Sequence, residues 1–298
     1  MNLFDQLVSE ALINMQDLAP LRVVVEKELL HHDILRVLSS AGLLSQLSFI
    51  GGTCLRTCYG SSRLSEDLDF TGGASFNKDM LSSMAGLLVQ SLNTKYGLVV
   101  EVSEPVKEES NVDTWKLKIQ TRPGRKDLPA QRINMDVCAI PSYQSQPMML
   151  QNPYGIEMGT SGLILLAQSR EEIFADKLLA FALRPNRIKN RDLWDIAWLH
   201  QQRIKPALEL IDQKLKDHHV TEPAYLKLFK KRCNALTTDS SLALEFRKEM
   251  SRFLPSNIVK ETIQSEAFWL YLITLINDYA SHLAEALQQP KSKNRFLM

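Results

Sequence analysis

Along the first 47 residues apolar side chains recur at helical spacing, at Leu3, Leu7 and Leu12 and again at Val23, Val24, Leu29, Leu30, Ile34, Leu35 and Leu38. Pro20 divides this stretch into two predicted helices. The period then changes. Leu47 to Ile50 is a short, mostly apolar run, compatible with a strand but too short for periodicity to assign. It ends at Gly51-Gly52, a turn signal, after which Thr53 is suited to cap a short helix over Cys54 to Tyr59. The valine-rich segment Leu98 to Val102 reads as a strand. Trp115, Leu117 and Ile119 alternate with Lys116 and Lys118, and Ile133, Met135 and Val137 alternate with Asn134, Asp136 and Cys138. Both patterns predict half-buried strands, separated by a loop that starts at Arg122-Pro123-Gly124-Arg125.

Beyond about residue 160 the pattern predicts helices almost to the end, over 169–183, 192–202, 206–217, 223–235, 240–253 and 258–288. The last eight residues carry Lys291, Lys293 and Arg295 with no acid and read as a fraying end. The fold class expected is therefore α/β (α+β). Residues 1–160 form a mixed-sheet core with N-terminal helices, and residues 161–298 form an all-helical C-terminal lobe. Pro153 and Gly155 mark the junction.

Composition narrows the function classes. The 298 residues are 45% apolar and 23% charged, an ordinary globular balance that excludes a disordered, collagenous or coiled-coil chain. With 35 Lys+Arg against 34 Asp+Glu the net charge is +1, so nucleic-acid binding has to come from local patches. The cysteines at 54, 58, 138 and 233 show no zinc spacing and read as reduced thiols. No apolar run approaches the roughly 20 residues of a membrane span, and no signal-peptide pattern precedes the first helix, so the expected location is the cytoplasm.

The chemistry concentrates in Phe49 to Phe70, FIGGTCLRTCYGSSRLSEDLDF. Residues two apart on a strand share a face, so Asp67 and Asp69 present two carboxylates together, with Leu68 and Phe70 opposite. Adjacent carboxylates repel unless a cation lies between them. Mg²⁺ or Mn²⁺ meets that need, taking a few carboxylates together with phosphate oxygens and water. Gly51 and Gly52 let the backbone approach a phosphate, and the N–H groups at a helix start point at the anion. A D-x-D or a Gly-Gly turn alone is more often a plain surface feature. Strand, G-G-T, helix and D-x-D in that order within about twenty residues is far less common by chance. Asp136 faces away from the apolar side of its strand and is the third acid, able to complete the metal site or act as general base.

Further along, Lys177 sits among Ile173, Phe174, Leu178, Leu179 and Phe181, where it either snorkels to water or serves as a point charge for a triphosphate. Little near it along the sequence offers a purely structural partner. Asp192 opens a later helix. Arg184, Arg187, Lys189 and Arg191, with Arg203 and Lys205 beyond, give the segment 184–205 six basic residues against two acids, a candidate surface for an RNA backbone.

Tyr59 to Phe70 closely resembles the Y-G-x-x-R-x-S-E-D-L-D-F signature that follows a G-G-T or G-S turn in the AbiEii/AbiGii toxin family, a branch of the DNA polymerase beta-like nucleotidyltransferases. The resemblance extends over roughly residues 20–200, through Glu26-Lys27, the Lys177 helix and the R-D-L-x-D run at Arg191 to Asp195. One position departs from the pattern: Ile50 stands where many members carry a basic residue. The resemblance implies a nucleotidyltransferase core using a divalent metal and an NTP. Asp67, Asp69 and Asp136 would hold metal, and Gly51, Gly52, Thr53, Arg63, Ser65 and Lys177 would hold nucleotide. Lys177 would neutralise charge on the transferring group, and Asp192 would be a supporting acid. It also implies the toxin of a toxin–antitoxin or abortive phage-infection system, with a separate winged-helix antitoxin encoded nearby and tRNA as the acceptor. Rival readings are transfer to a small molecule or protein, and a nucleotide-binding regulator without turnover.

Overall fold

The computed structural model describes residues 2–106, 111–125 and 128–288; the basic C-terminal residues Lys291, Lys293 and Arg295 lie outside them. The chain divides into two compact units, one of residues 1–173 and 250–262, the other of residues 174–249 and 263–298.

The first unit opens with α1 (Leu3–Asn14), a 3₁₀ turn (Gln16–Leu21) containing Pro20, and α2 (Arg22–Ser40). Then come β1 (Ser48–Ile50), α3 (Gly51–Tyr59), β2 (Leu68–Thr71), α4 (Met84–Tyr96), β3 (Val99–Ser103), β4 (Val112–Gln120), β5 (Gln131–Cys138), β6 (Ser145–Met149) and β7 (Ile164–Gln168). The strands form one mixed sheet in the order β3-β4-β5-β2-β1-β7-β6, with the β5–β2 and β1–β7 pairs parallel and the others antiparallel.

The alternation predicted for β2, β4 and β5 becomes one buried face. Leu68, Phe70, Trp115, Leu117, Ile119, Ile133, Met135 and Val137 are all buried, and Phe49 on β1 stacks on Phe70 with ring centroids 5.0 Å apart. Burying a side chain of this size is worth about 1.5–3 kcal/mol, so this face fixes the register of the central strands.

α4, a segment to which the sequence reading assigned no element, buries one stripe of Met84, Leu88, Leu92 and Tyr96. The structure corrects the sequence reading in three places. The stretch after residue 160 is not helical at once. β7 lies in the sheet, with Ala167 opposite Phe49, so the first unit runs past 160. A five-residue apolar run cannot reveal its partners, and here antiparallel pairing with β6 along all five residues, with β1 parallel on the other side, decides its state. α3 starts at Gly51 with Ile50 at the cap, so Thr53 lies inside the helix. The long final helix is interrupted: α10 (Ser256–Ile258) and a π turn (Val259–Ile263) precede α11 (Glu266–Gln288). Residues 250–262 belong to the first unit, where the Leu64 N–H donates to the Phe253 carbonyl at 2.8 Å.

α5 (Arg170–Leu183) starts in the first unit and continues in the second, which also holds α6 (Asn190–Gln201), α7 (Ile211–Asp217), α8 (Glu222–Thr238), α9 (Ser241–Met250, whose last residue falls in the first unit) and α11. Its core includes Phe181, Tyr225 and Phe229, packed edge to face. Among the described residues no helix is long and apolar enough to cross a membrane. Cys54, Cys58 and Cys233 are buried free thiols and Cys138 is a half-buried one.

Candidate active site

Sheet register brings the expected acids together. Asp69 on β2 stands opposite Asp136 on the parallel β5, and Leu68 opposite Met135. Asp67, one residue before β2, accepts a hydrogen bond from the Asn134 N–H at 3.1 Å. Since Leu68, Phe70, Met135 and Val137 fill the core face, all three acids belong to the opposite face. Thr114 on β4 stands opposite Asp136 and donates to its Oδ1 at 2.7 Å, which fixes one oxygen of that carboxylate. Ile50 on β1 stands opposite Asp69, so the departure noted in the sequence puts a hydrocarbon beside the acid.

The glycine pair has a structural reason that the sequence does not display. Gly51 sits at φ +74°, in the left-handed region, and a Cβ there would come within 2.7 Å of Asp69 Oδ2. A Cβ on Gly52 would run into the Arg63 guanidinium and meet Ser65 Oγ at 3.4 Å. The first two residues of α3 are thus bare because Asp69 and Arg63 press against them. Thr53 is fully buried; its hydroxyl hydrogen-bonds Ser65 Oγ at 2.7 Å and also the Asp67 carbonyl. Arg63 is 3% exposed and donates to the Leu64 carbonyl at 3.0 Å. Thr53, Arg63 and Ser65, expected at the nucleotide, are buried behind the site and fix the segment that carries the acids.

α2 holds that segment from the other side, through residues the sequence reading gave no chemical role. Lys27 pairs with Glu66 at 2.8 Å, and the Glu28 carboxylate accepts from the Ser65 N–H at 2.8 Å. The same Glu28 receives Arg56 Nε at 3.1 Å and the Tyr154 hydroxyl. His31 Nε2 meets the Glu66 carbonyl at 3.0 Å. Burial lowers both His31 and His32 to about 4, so both rings are neutral at pH 7. The only sequence signal for this clamp is polar residues placed where α2 turns toward the core.

The other expected residues lie in the second unit. Lys177 Nζ is 2.7 Å from Asp192 Oδ1 and 2.8 Å from Asp195 Oδ2, and both carboxylates are buried. The expectation that Lys177 has little to pair with fails because its partners arrive on the next helix. Arg184 Nε holds the other oxygen of Asp192 at 2.9 Å. Burial would raise the Asp192 carboxyl, but Lys177, Arg184 and Lys189 outweigh it and hold the group well below the usual carboxylate range. In the basic segment, Arg191 faces Glu249 at 3.6 Å and Arg187 is exposed. Lys189 is lowered to about 8 by burial, helped by the neighbouring cations and opposed by Asp192. Arg184 and Lys189 thus neighbour Asp192 and Arg191 neighbours Glu249, so three of the four expected RNA contacts have acidic neighbours.

No three His, Cys, Asp or Glu side chains converge as a metal cage among the described residues. Mg²⁺ is ordinarily bound by one or two carboxylates with substrate phosphates and water completing its shell. The carboxylates of Asp67, Asp69 and Asp136 are hard oxygen donors of the kind such an ion takes.

A mixed sheet with a Gly-Gly start to α3 and acids on two neighbouring strands is the frame of a nucleotidyltransferase. The same fold occurs in MenT4, a nucleotidyltransferase toxin from Mycobacterium tuberculosis (TM-score 0.56, 16% identity, 94% of this chain and 93% of that one). JHP933 from Helicobacter pylori is also similar (TM-score 0.49, 20% identity, 89% of this chain and 96% of that one). No curated protein matches the sequence. The profile of the nucleotidyl transferase AbiEii toxin family, of type IV toxin–antitoxin systems, matches residues 33–272, and the chain belongs to that family.

Proposed function

We propose that the chain is a metal-dependent toxin that transfers a nucleotide from an NTP to tRNA. The observation that carries this reading is the register of Asp69 against Asp136, with Asp67 on the same face and the start of α3 beside them. Asp67, Asp69 and Asp136 would hold the ion, Mg²⁺ or Mn²⁺, which when bound offsets the charge of the triphosphate. The N–H groups of Gly51 and Gly52 at the start of α3 take the phosphate tail. The acceptor hydroxyl forms a bond to the α-phosphorus while the α–β phosphoanhydride bond breaks. Pyrophosphate leaves, and the hydroxyl proton passes to Asp136, whose carboxylate Thr114 orients. Arg187 and Lys189 are the RNA-backbone contacts of the second unit. The partner is a winged-helix antitoxin encoded nearby, and the setting is cytoplasmic.

The test is incubation with α-labelled NTPs and total RNA, protein and metabolite fractions. Label in tRNA is the expected outcome, and label in protein or small molecules alone would move those acceptors ahead. Asp69→Asn and Asp67→Asn should each abolish transfer and growth inhibition at an unchanged melting temperature. Retained transfer at saturating Mg²⁺ in both variants would sink the metal-site assignment.

A further inference from the structure

The face that carries the acids continues outward onto β4 and β3. Lys116 stands opposite Asn134, two residues from Thr114 along β4, and Ser103 on β3 stands opposite Lys116. Ser103, Thr114 and Lys116 therefore share the face of Asp136. With Val106 and Val112 they line a cavity of about 470 Å³. That volume falls inside the roughly 300–1,000 Å³ range of small-molecule sites. Thr114 belongs both to the wall of the cavity and to the hydrogen bond with Asp136, so one side chain separates the cavity from the acid assigned as base.

The lining offers three chemistries: an exposed cation at Lys116, hydroxyls at Ser103 and Thr114, and aliphatic surface at Val106 and Val112. These match the phosphate, ribose and base of one nucleotide. Sheet order then decides which nucleotide. β2 and β5, with the acids, are flanked on one side by β1 and the start of α3, and on the other by β4 and β3. Phosphoryl transfer puts the attacking and leaving oxygens roughly in line on opposite sides of the phosphorus. With the triphosphate tail at α3, the attacking hydroxyl comes from the side of β4.

We propose that this cavity seats the terminal nucleotide of the RNA acceptor, with Lys116 on its phosphate, Ser103 and Thr114 at its ribose, and Val106 and Val112 against its base. The assignment rests on RNA being the acceptor. Glu104 also lines the cavity and opposes the phosphate, so the two charges act with opposite signs.

The experiment uses the full chain, an α-labelled NTP, and a synthetic RNA hairpin with an unpaired 3′ tail. Lys116→Ala should raise the KM for the hairpin about tenfold, the scale of one charge-assisted contact, and leave the KM for NTP unchanged. Glu104→Gln should lower the hairpin KM. In fluorescence anisotropy without NTP, Lys116→Ala should also reduce the slope of log affinity against log salt by roughly 0.7. A raised NTP KM with an unchanged hairpin KM would make the cavity a donor site and overturn the proposal, as would no change in either. Because binding is read without turnover, the two failures separate. A hairpin bound through Lys116 but never labelled keeps the cavity and removes the RNA-transfer reading, whereas a hairpin not bound at all removes both.

Discussion

Lys177→Met separates the two occupations open to that lysine. In the structure its ammonium lies between Asp192 and Asp195, at 2.7 and 2.8 Å. Asp192 keeps Arg184 when Lys177 is lost, but the side chain of Asp195 is 0% exposed and loses a charge partner. Removing one member of a buried ion pair costs about 3–5 kcal/mol, because a buried charge is left uncompensated. The second unit is of the order of a hundred residues, where 1 kcal/mol moves the melting temperature by roughly 4 °C or more. The expected fall is therefore at least about 10 °C, read by calorimetry. Adding Asp195→Asn should recover much of it, since the amide keeps the shape and removes the buried charge that Lys177 had faced.

The acid side supplies a second reading. Asp192 is held below its ordinary range, so its pairing stabilises the fold above the unfolded carboxyl value near about 3.9 and is lost as pH falls further. That acid sensitivity should shrink in the variant. A melting temperature within about 2 °C of wild type, together with a raised NTP KM that Asp195→Asn does not restore, would refute the structural assignment and return Lys177 to the triphosphate.

Gly51→Ala should cost about 1–2 kcal/mol for the left-handed backbone and, because its Cβ would lie 2.7 Å from Asp69 Oδ2, also reduce transfer more than tenfold. Gly97→Ala, at φ +69° with nothing within 4 Å, should show the stability cost alone, and equal transfer in the two variants would exclude the clash. His31 and His32, lowered to about 4 by burial, refuse protons that the unfolded chain takes up near 6.5. Urea denaturation should therefore show stability falling between pH 6.5 and 4, and a flat profile would contradict their burial. Lys189, lowered to about 8, should lose its charge between pH 7 and 9. If it contacts RNA, the salt slope drops by roughly 0.7–0.9 over that range in wild type and not in Lys189→Ala.

Alternation in the sequence alone determined β4 and β5 and their buried faces, because a period of two is a local property set by one apolar side. The same rule put Asp67, Asp69 and Asp136 on the polar side of their strands, and the Tyr59 to Phe70 signature pointed to the family. Pairing was beyond its reach. That Asp69 stands opposite Asp136, 67 residues on, and that Ile164–Gln168 is a strand between β6 and the distant β1, depend on partners elsewhere in the chain, whose side chains leave no mark on local periodicity. The purpose of the two glycines was likewise hidden, since a missing Cβ fits a phosphate or a neighbouring side chain equally well until Asp69 and Arg63 are seen against them. Lys177 makes the same point for charge. A cation on an apolar helix looks unpaired in sequence, and only the packing of α6 against α5 brings the two buried carboxylates to it.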